Sequence, residues 1–176
     1  LARVVSSYKS IYGAFSKVIP NVSVHYSLKA NANNTIVKAL LREGCGIDCV
    51  SAGEVHRAIR CGCAPKDIVF AGVGKDTAEL EYAVKHGVGW FNVENEFELR
   101  QLSNIATATK TEGVKIALRI NPDVTADTHP NIATGHGGAK FGMVIDVVVG
   151  ILERAAEYPG ITIEGVHVHI GSQLGD

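Results

Sequence analysis

The sequence predicts an α/β fold built on parallel strands, and three observations carry that prediction. Apolar runs of period two recur along the chain, and helical patterns fill the intervals between them. Over the first five units the strand starts are spaced by about twenty to twenty-five residues, the length a βαβ crossover needs.

The first run, Val22 to Ser27, sets Val22, Val24 and Tyr26 against Ser23, His25 and Ser27. Extended by two residues, the alternation places Leu28 on the apolar face and Lys29 on the polar one. A helix over Thr35 to Arg42 follows, then a strand over Gly46 to Val50 and a helix over Glu54 to Arg60. The next pairs are Asp67 to Ala71 with Ala78 to His86, and Gly89 to Val93 with Glu96 to Thr109. The fifth strand, Val114 to Ile120, opposes Val114, Ile116, Leu118 and Ile120 to Lys115, Ala117 and Arg119. A helix over Asp146 to Tyr158 leads to the sixth strand, Ile161 to Ile170, where Val166, Val168 and Ile170 oppose Gly165, His167 and His169.

Turn chemistry supports this partition. Ser51-Ala-Gly-Glu54 fits a capping box, and Gly44, Gly62 and Gly87 stand where helices should stop. One long interruption, Asn121 to Ile145, is rich in Gly, Asn, Asp, Thr and Pro, and a loop of that length is commonly functional or disordered. Its "GHGGAK" fits either a substrate or dimer contact or a surface turn.

With 176 residues and 46% hydrophobic side chains, the chain can bury a proper core. Its 17 basic and 18 acidic side chains nearly balance and form no basic cluster, which argues against nucleic acid or an anionic membrane as partner. No apolar stretch is long enough to span a bilayer, and "LARVVSSYKSIYGAF" lacks the core and cleavage pattern of a signal peptide. A cytoplasmic location and a small-molecule partner are expected. Cys45, Cys49, Cys61 and Cys63 fall close together without a C-x2-C pair, so buried reduced thiols are expected in place of a zinc site.

Six βα-type strands without a nucleotide-binding glycine fingerprint suit a doubly wound sheet or a (β/α)8 TIM barrel. In a barrel the polar face points inward and chemistry sits at the C-terminal strand ends. Lys29, Arg119 and His169 occupy those ends, and Asp48 joins them late in the second run. Such a lysine either binds an anion or forms a Schiff base through its neutral amine, which desolvation and a nearby cation such as Arg119 favour.

The segments "YSLKAN", "GIDCVSAGE", "LRINPDV", "THPNIATG", "KFGM" and "GVHVHIGSQ" occur in the order and approximate spacing of a known group. By them the chain resembles the pyridoxal-phosphate decarboxylases of ornithine, arginine and diaminopimelate, which share an alanine-racemase-like barrel. "INPDV" followed by "HPNIATG" and "KFGM" points to the diaminopimelate branch. The resemblance implies that Lys29 carries pyridoxal 5'-phosphate as a Schiff base, that His169 stacks on the cofactor ring, and that Ser172 helps bind its phosphate. Asp48 and Arg119 match polar residues lining the cofactor site, and Glu54 aligns with an acidic position, although helix capping accounts for it. The implied reaction is decarboxylation of meso-diaminopimelate to L-lysine, the last step of lysine biosynthesis, by a homodimer.

On this reading residues 1–176 form an incomplete N-terminal cofactor-binding barrel domain of about six strands. The glycine-rich phosphate loop, the acid that pairs with the pyridine nitrogen, its adjacent arginine and a C-terminal β domain lie beyond Asp176 in the family pattern. The isolated piece is expected to be inactive and poorly soluble, with strand edges and apolar surfaces uncovered. Three other readings differ in kind. One is an arginine- or ornithine-type decarboxylase; another is a metal-dependent hydrolase using His167 and His169, with no metal expected under the favoured reading. The third is a noncatalytic pyridoxal-phosphate binding module.

Overall fold

A computed structural model describes residues 1–122 and 141–171. The long interruption, apart from its two ends, and Ser172 lie outside the described residues. The chain divides into two compact units, Leu1–Phe91 and Asn92–Asp176.

The first unit opens with α1 (Ala2–Phe15), continues through β1 (His25–Ser27), α2 (Asn34–Arg42), β2 (Gly46–Cys49) and α3 (Ala52–Arg60), and adds β3 (Ile68–Phe70), α4 (Thr77–Lys85) and the start of β4 (Trp90–Val93). Its strands run parallel in chain order, with Ser27 opposite Asp48, Cys49 opposite Phe70, and Phe70 opposite Phe91. Leu28, Val37, Ile47, Val55, Ile68, Phe70, Leu80 and Phe91 are fully buried, and the Phe70 and Phe91 rings sit 6.2 Å apart and tilted. Burial of that apolar surface is the main favourable term for the unit.

Side-chain caps fix where the helices begin. Asn33 accepts from Thr35 N and so caps α2, and Ser51 accepts from Glu54 N at the start of α3. Only the Ser51 half of the expected box forms, because the Glu54 carboxylate reaches one residue further back, to Val50 N at 2.8 Å. A complete box closes α4, between Asp76 and Glu79. Glu79 also accepts from Ala52 N at 2.9 Å, so one carboxylate serves the N-termini of both α3 and α4. Gly44, Gly62 and Gly87 stop their helices with positive φ, as the sequence predicts.

The second unit holds α5 (Glu96–Thr109), β5 (Val114–Ile120), α6 (Ile145–Glu153) and β6 (Ile161–Val168). β5 and β6 pair in parallel, with a register shift between Ile116 and Ala117 that places Arg119 opposite His167. Leu99, Leu102, Ile116, Leu118 and Ile151 form its buried centre. Asn95 caps α5 by accepting from Glu98 N. Across its surface, Glu96 accepts from Tyr158 Oη at 2.7 Å, Arg100 Nη2 at 2.6 Å and Arg154 Nη1 at 3.3 Å. Those donors hold the Glu96 carboxyl down at about 2, Tyr158 contributing most.

Several boundaries differ from the sequence expectation: β1 begins at His25 and not Val22, and β6 ends at Val168, so His169 lies just past the strand and not within it. The helix begun at Ile145 ends at Glu153, and a 3-10 turn over Ala155–Glu157 replaces its last part, delivering Tyr158 to Glu96. α1 was not expected, yet Val4, Tyr8, Ile11 and Phe15 recur at helical spacing, and Val4 and Tyr8 pack toward Leu40 and Cys45. Large apolar side chains are exposed on α6, at Ile145, Val147, Val149 and Leu152, and on β6 at Val166 and Val168.

Candidate active site

Lys29 does not continue the strand. β1 ends at Ser27, and Leu28–Ala30 form a 3-10 turn that lifts Lys29 into an exposed position. The face assignment made from strand alternation therefore stops at Ser27. Local chemistry builds the turn: Leu28 is buried beneath it, and Tyr26 donates its hydroxyl to Asn31 O at 3.2 Å. Asn31 Oδ1 then accepts from Asn33 N, and Asn33 Oδ1 from Thr35 N, at 3.0 and 2.9 Å. These successive Asx turns explain the asparagines of "KANANN" as the joint between the Lys29 turn and α2.

Among the described residues Lys29 makes no hydrogen bond or ion pair, and neither does Asp48. Asp48 is half-buried on β2 directly across from Ser27. The Ser27 hydroxyl is itself buried without a partner, as is Nδ1 of His25. Among the described residues the end of β1 thus presents an uncommitted amine and a buried hydroxyl with spare hydrogen-bonding capacity, and its neighbour β2 an uncommitted carboxylate. A second lysine, Lys75, lies just past the end of β3 but is 5% exposed, donates to Gly72 O, and stands 5.5 Å from the Phe70 ring centroid. Its amine is committed where that of Lys29 is not.

In the second unit Arg119 is buried near the end of β5. Its Nη1 contacts both carboxylate oxygens of Glu94, at 2.7 and 3.0 Å, and Glu94 is buried too. Phe141 lies with its ring centroid 5.5 Å from the guanidinium. His167 is half-buried on β6 and His169 is exposed immediately after it. Glu94 escaped the sequence reading, although it follows "FNV" at the end of β4 and meets the same criterion that selects Lys29 and Arg119.

The four cysteines are free and buried. Desolvation pushes the Cys45 and Cys63 thiols up to about 11 and raises Cys49 further. Among the described residues no group of three or more His, Cys, Asp or Glu side chains converges to hold a metal ion. No described helix is long and apolar enough to cross a membrane. A groove of about 540 Å³ between α1 and β1 is lined by Val4, Tyr8, Ile11, Val24 and Tyr26 and includes neither Lys29 nor Asp48.

The pyridoxal binding domain of the pyridoxal-dependent decarboxylases matches residues 3–176. Diaminopimelate decarboxylase of Zymomonas mobilis is 43% identical over 153 residues, covering 87% of this chain and 36% of the relative. That of Aquifex aeolicus is 42% identical over 168 residues, covering 96% and 40%. Among solved structures, a point mutant of Helicobacter pylori diaminopimelate decarboxylase complexed with L-lysine superposes with a TM-score of 0.92 at 36% identity, over 99% of this chain and 44% of that one. The Paramecium bursaria Chlorella virus arginine decarboxylase bound to agmatine gives 0.79 at 25%, over 99% and 44%. The chain therefore spans about two-fifths of the length of these relatives, and its fold is their α/β, partial (β/α)8 barrel of the alanine-racemase-like type.

Proposed function

This chain belongs to the pyridoxal-binding domains of the pyridoxal-dependent decarboxylases, and from that membership we propose that the full-length protein decarboxylates meso-2,6-diaminopimelate to L-lysine and CO2. In the overall change the carbon–carboxylate bond at the D-configured centre breaks, CO2 leaves, and a proton takes its place on that carbon. When bound, pyridoxal phosphate supplies an electron-poor ring that accepts the electron pair left as CO2 departs.

Lys29 is the anchor in this reading. The observation that carries it is the exposed Lys29 amine, uncommitted among the described residues, on a turn held by Leu28 and the Asn31–Asn33 relay. An amine must be neutral to attack a carbonyl, and among the described residues the Lys29 amine has no ion pair to break first. The residues fit the cofactor's chemistry: an amine for its aldehyde, the Asp48 carboxylate and the Ser27 hydroxyl as polar partners, and the Arg119 cation for an anionic group. Asp48, Arg119, His169 and Ser172 are assigned to cofactor binding, His169 offering a flat ring face and Ser172 a hydroxyl for phosphate. Residues 1–176 serve as the N-terminal cofactor domain.

The diaminopimelate branch is favoured over the arginine branch by higher identity and closer superposition. A cytoplasmic homodimer is the proposed working form. Supplied with pyridoxal phosphate, the full-length protein is expected to release CO2 and L-lysine from meso-diaminopimelate and to leave arginine and ornithine untouched. Turnover of arginine with none of meso-diaminopimelate would overturn the assignment. Sedimentation of the active protein as a monomer would remove the dimer.

A further inference from the structure

Arg119 is held on two sides by groups that no cofactor assignment includes. At one side Glu94, at the end of the preceding strand, receives Nη1 on both oxygens at 2.7 and 3.0 Å. At the other the chain returns as Phe141-Gly142-Met143, with the aromatic ring beside the guanidinium. Two backbone hydrogen bonds seat this return segment: Met143 N donates to Arg119 O, and Asn121 N to Met143 O, both at 2.8 Å. Met143 is buried and bridges to Ile120, so the segment is fastened to the strand that carries Arg119.

Gly142 makes this approach possible. Its φ is +89°, and a Cβ there would stand 2.9 Å from Arg119 O and 3.0 Å from Arg119 Cγ. A side chain would push the return segment off Arg119. The guanidinium carries its donors in a rigid fork, and Glu94 engages that fork through Nη1 alone. The arrangement fixes the plane of the fork while its Nε and Nη2 edge stays outside the Glu94 contact and can address a second anion.

We infer that Glu94 is a positioning residue which, with Phe141 and Gly142, fixes Arg119 for binding the anionic cofactor. The inference rests on the cofactor reading above. It also gives "KFGM" a physical task, with Phe141 covering the guanidinium, Gly142 allowing contact and Met143 pinning the segment.

The test is a double-mutant cycle on the full-length protein. Apo-protein is titrated with pyridoxal phosphate, followed by the absorbance of the bound cofactor, with a thermal melt of each variant. Glu94→Gln and Arg119→Met are each expected to weaken cofactor affinity by about ten- to a hundredfold, the scale of one charged hydrogen bond. The double variant is expected to bind no more weakly than Arg119→Met alone, because a residue acting through Arg119 has no effect once Arg119 is gone. Should Glu94→Gln fail to fold, Glu94→Asp replaces it, keeping the charge at a shorter reach, with a smaller loss in the same non-additive pattern. Wild-type affinity in the Glu94 variant, or losses that multiply in the double variant, would overturn the inference alone. Failure of the wild-type protein to take up pyridoxal phosphate would overturn the cofactor reading and this inference with it.

Discussion

The ends of β1 and β5 both carry a basic side chain, and the structure treats the two oppositely. Lys29 stands on an exposed turn with no ion pair among the described residues, whereas Arg119 is buried, salt-bridged to Glu94 and covered by Phe141. Under the proposed function the difference follows from what each group would do. A lysine that must form and release a covalent bond needs a free, deprotonable amine, while a guanidinium that stays charged needs a partner to offset its desolvation. A sequence shows both as a cation at a strand end. Only the neighbouring residues tell them apart.

The largest expected effect falls on Lys29. Lys29→Ala in the full-length protein should lower decarboxylation by at least about a hundredfold, the lower end of what losing a side chain that acts at the reacting centre costs. Its melt should barely move, by about 0.5 kcal/mol or less, because the side chain is exposed and has no ion pair among the described residues. A strongly destabilised Lys29→Ala would erase the contrast between the two strand ends.

Glu94→Ala should show the reverse balance in stability. Stranding the buried Arg119 charge is expected to cost about 3–5 kcal/mol, read by urea unfolding, and replacing both partners with methionine should recover most of it. Gly142→Ala comes next, at about 1–3 kcal/mol, since it forces a side chain into a left-handed backbone and against Arg119. It should lower cofactor affinity together with stability.

The smallest effects concern the framework. Glu96 titrates near 2 in the folded protein, lowered by Tyr158, Arg154 and Arg100. A depressed carboxyl stabilises the fold above its unfolded value and loses that contribution as pH falls toward 2. Glu96→Gln should therefore flatten the dependence of the melting temperature on pH between about 5 and 2 and have its largest effect near neutrality. An unchanged acid limb would show that the network does not contribute. The cysteine thiols carry the opposite sign: burial raises them, so folding favours the neutral thiol and that contribution fades as pH climbs from about 9 to 11. Native protein at pH 8 should resist alkylation that denatured protein accepts at once.

Most strands and helices were legible because they bury a periodic apolar face and several are bounded by a cap or a glycine that performs that task, as at Asn33, Ser51 and Gly62; β6 and α6 were legible by the same period although Val166, Val168 and Val149 are exposed. Lys29, Arg119 and His169 were legible as polar residues at strand ends. Three features were not. The Lys29 turn was hidden because strand alternation continues formally through Leu28 and Lys29, and only the Tyr26 and Asn31 hydrogen bonds end the strand. Glu94 stands at a strand end as Lys29 and Arg119 do, but its pairing with Arg119, twenty-five residues away, was hidden. The loss of helix after Glu153 depends likewise on Tyr158 reaching Glu96 from a distant segment. Local pattern records the element, and long-range pairing decides its end.

The central claim is that Lys29, and not the buried Lys75, is the covalent anchor. Borohydride reduction of the full-length protein incubated with pyridoxal phosphate, followed by mass mapping of its lysine peptides, tests it directly. The account predicts a reduced phosphopyridoxyl group on Lys29 alone. An unlabelled Lys29 in folded, cofactor-saturated protein, or a label on Lys75 in its place, would contradict it.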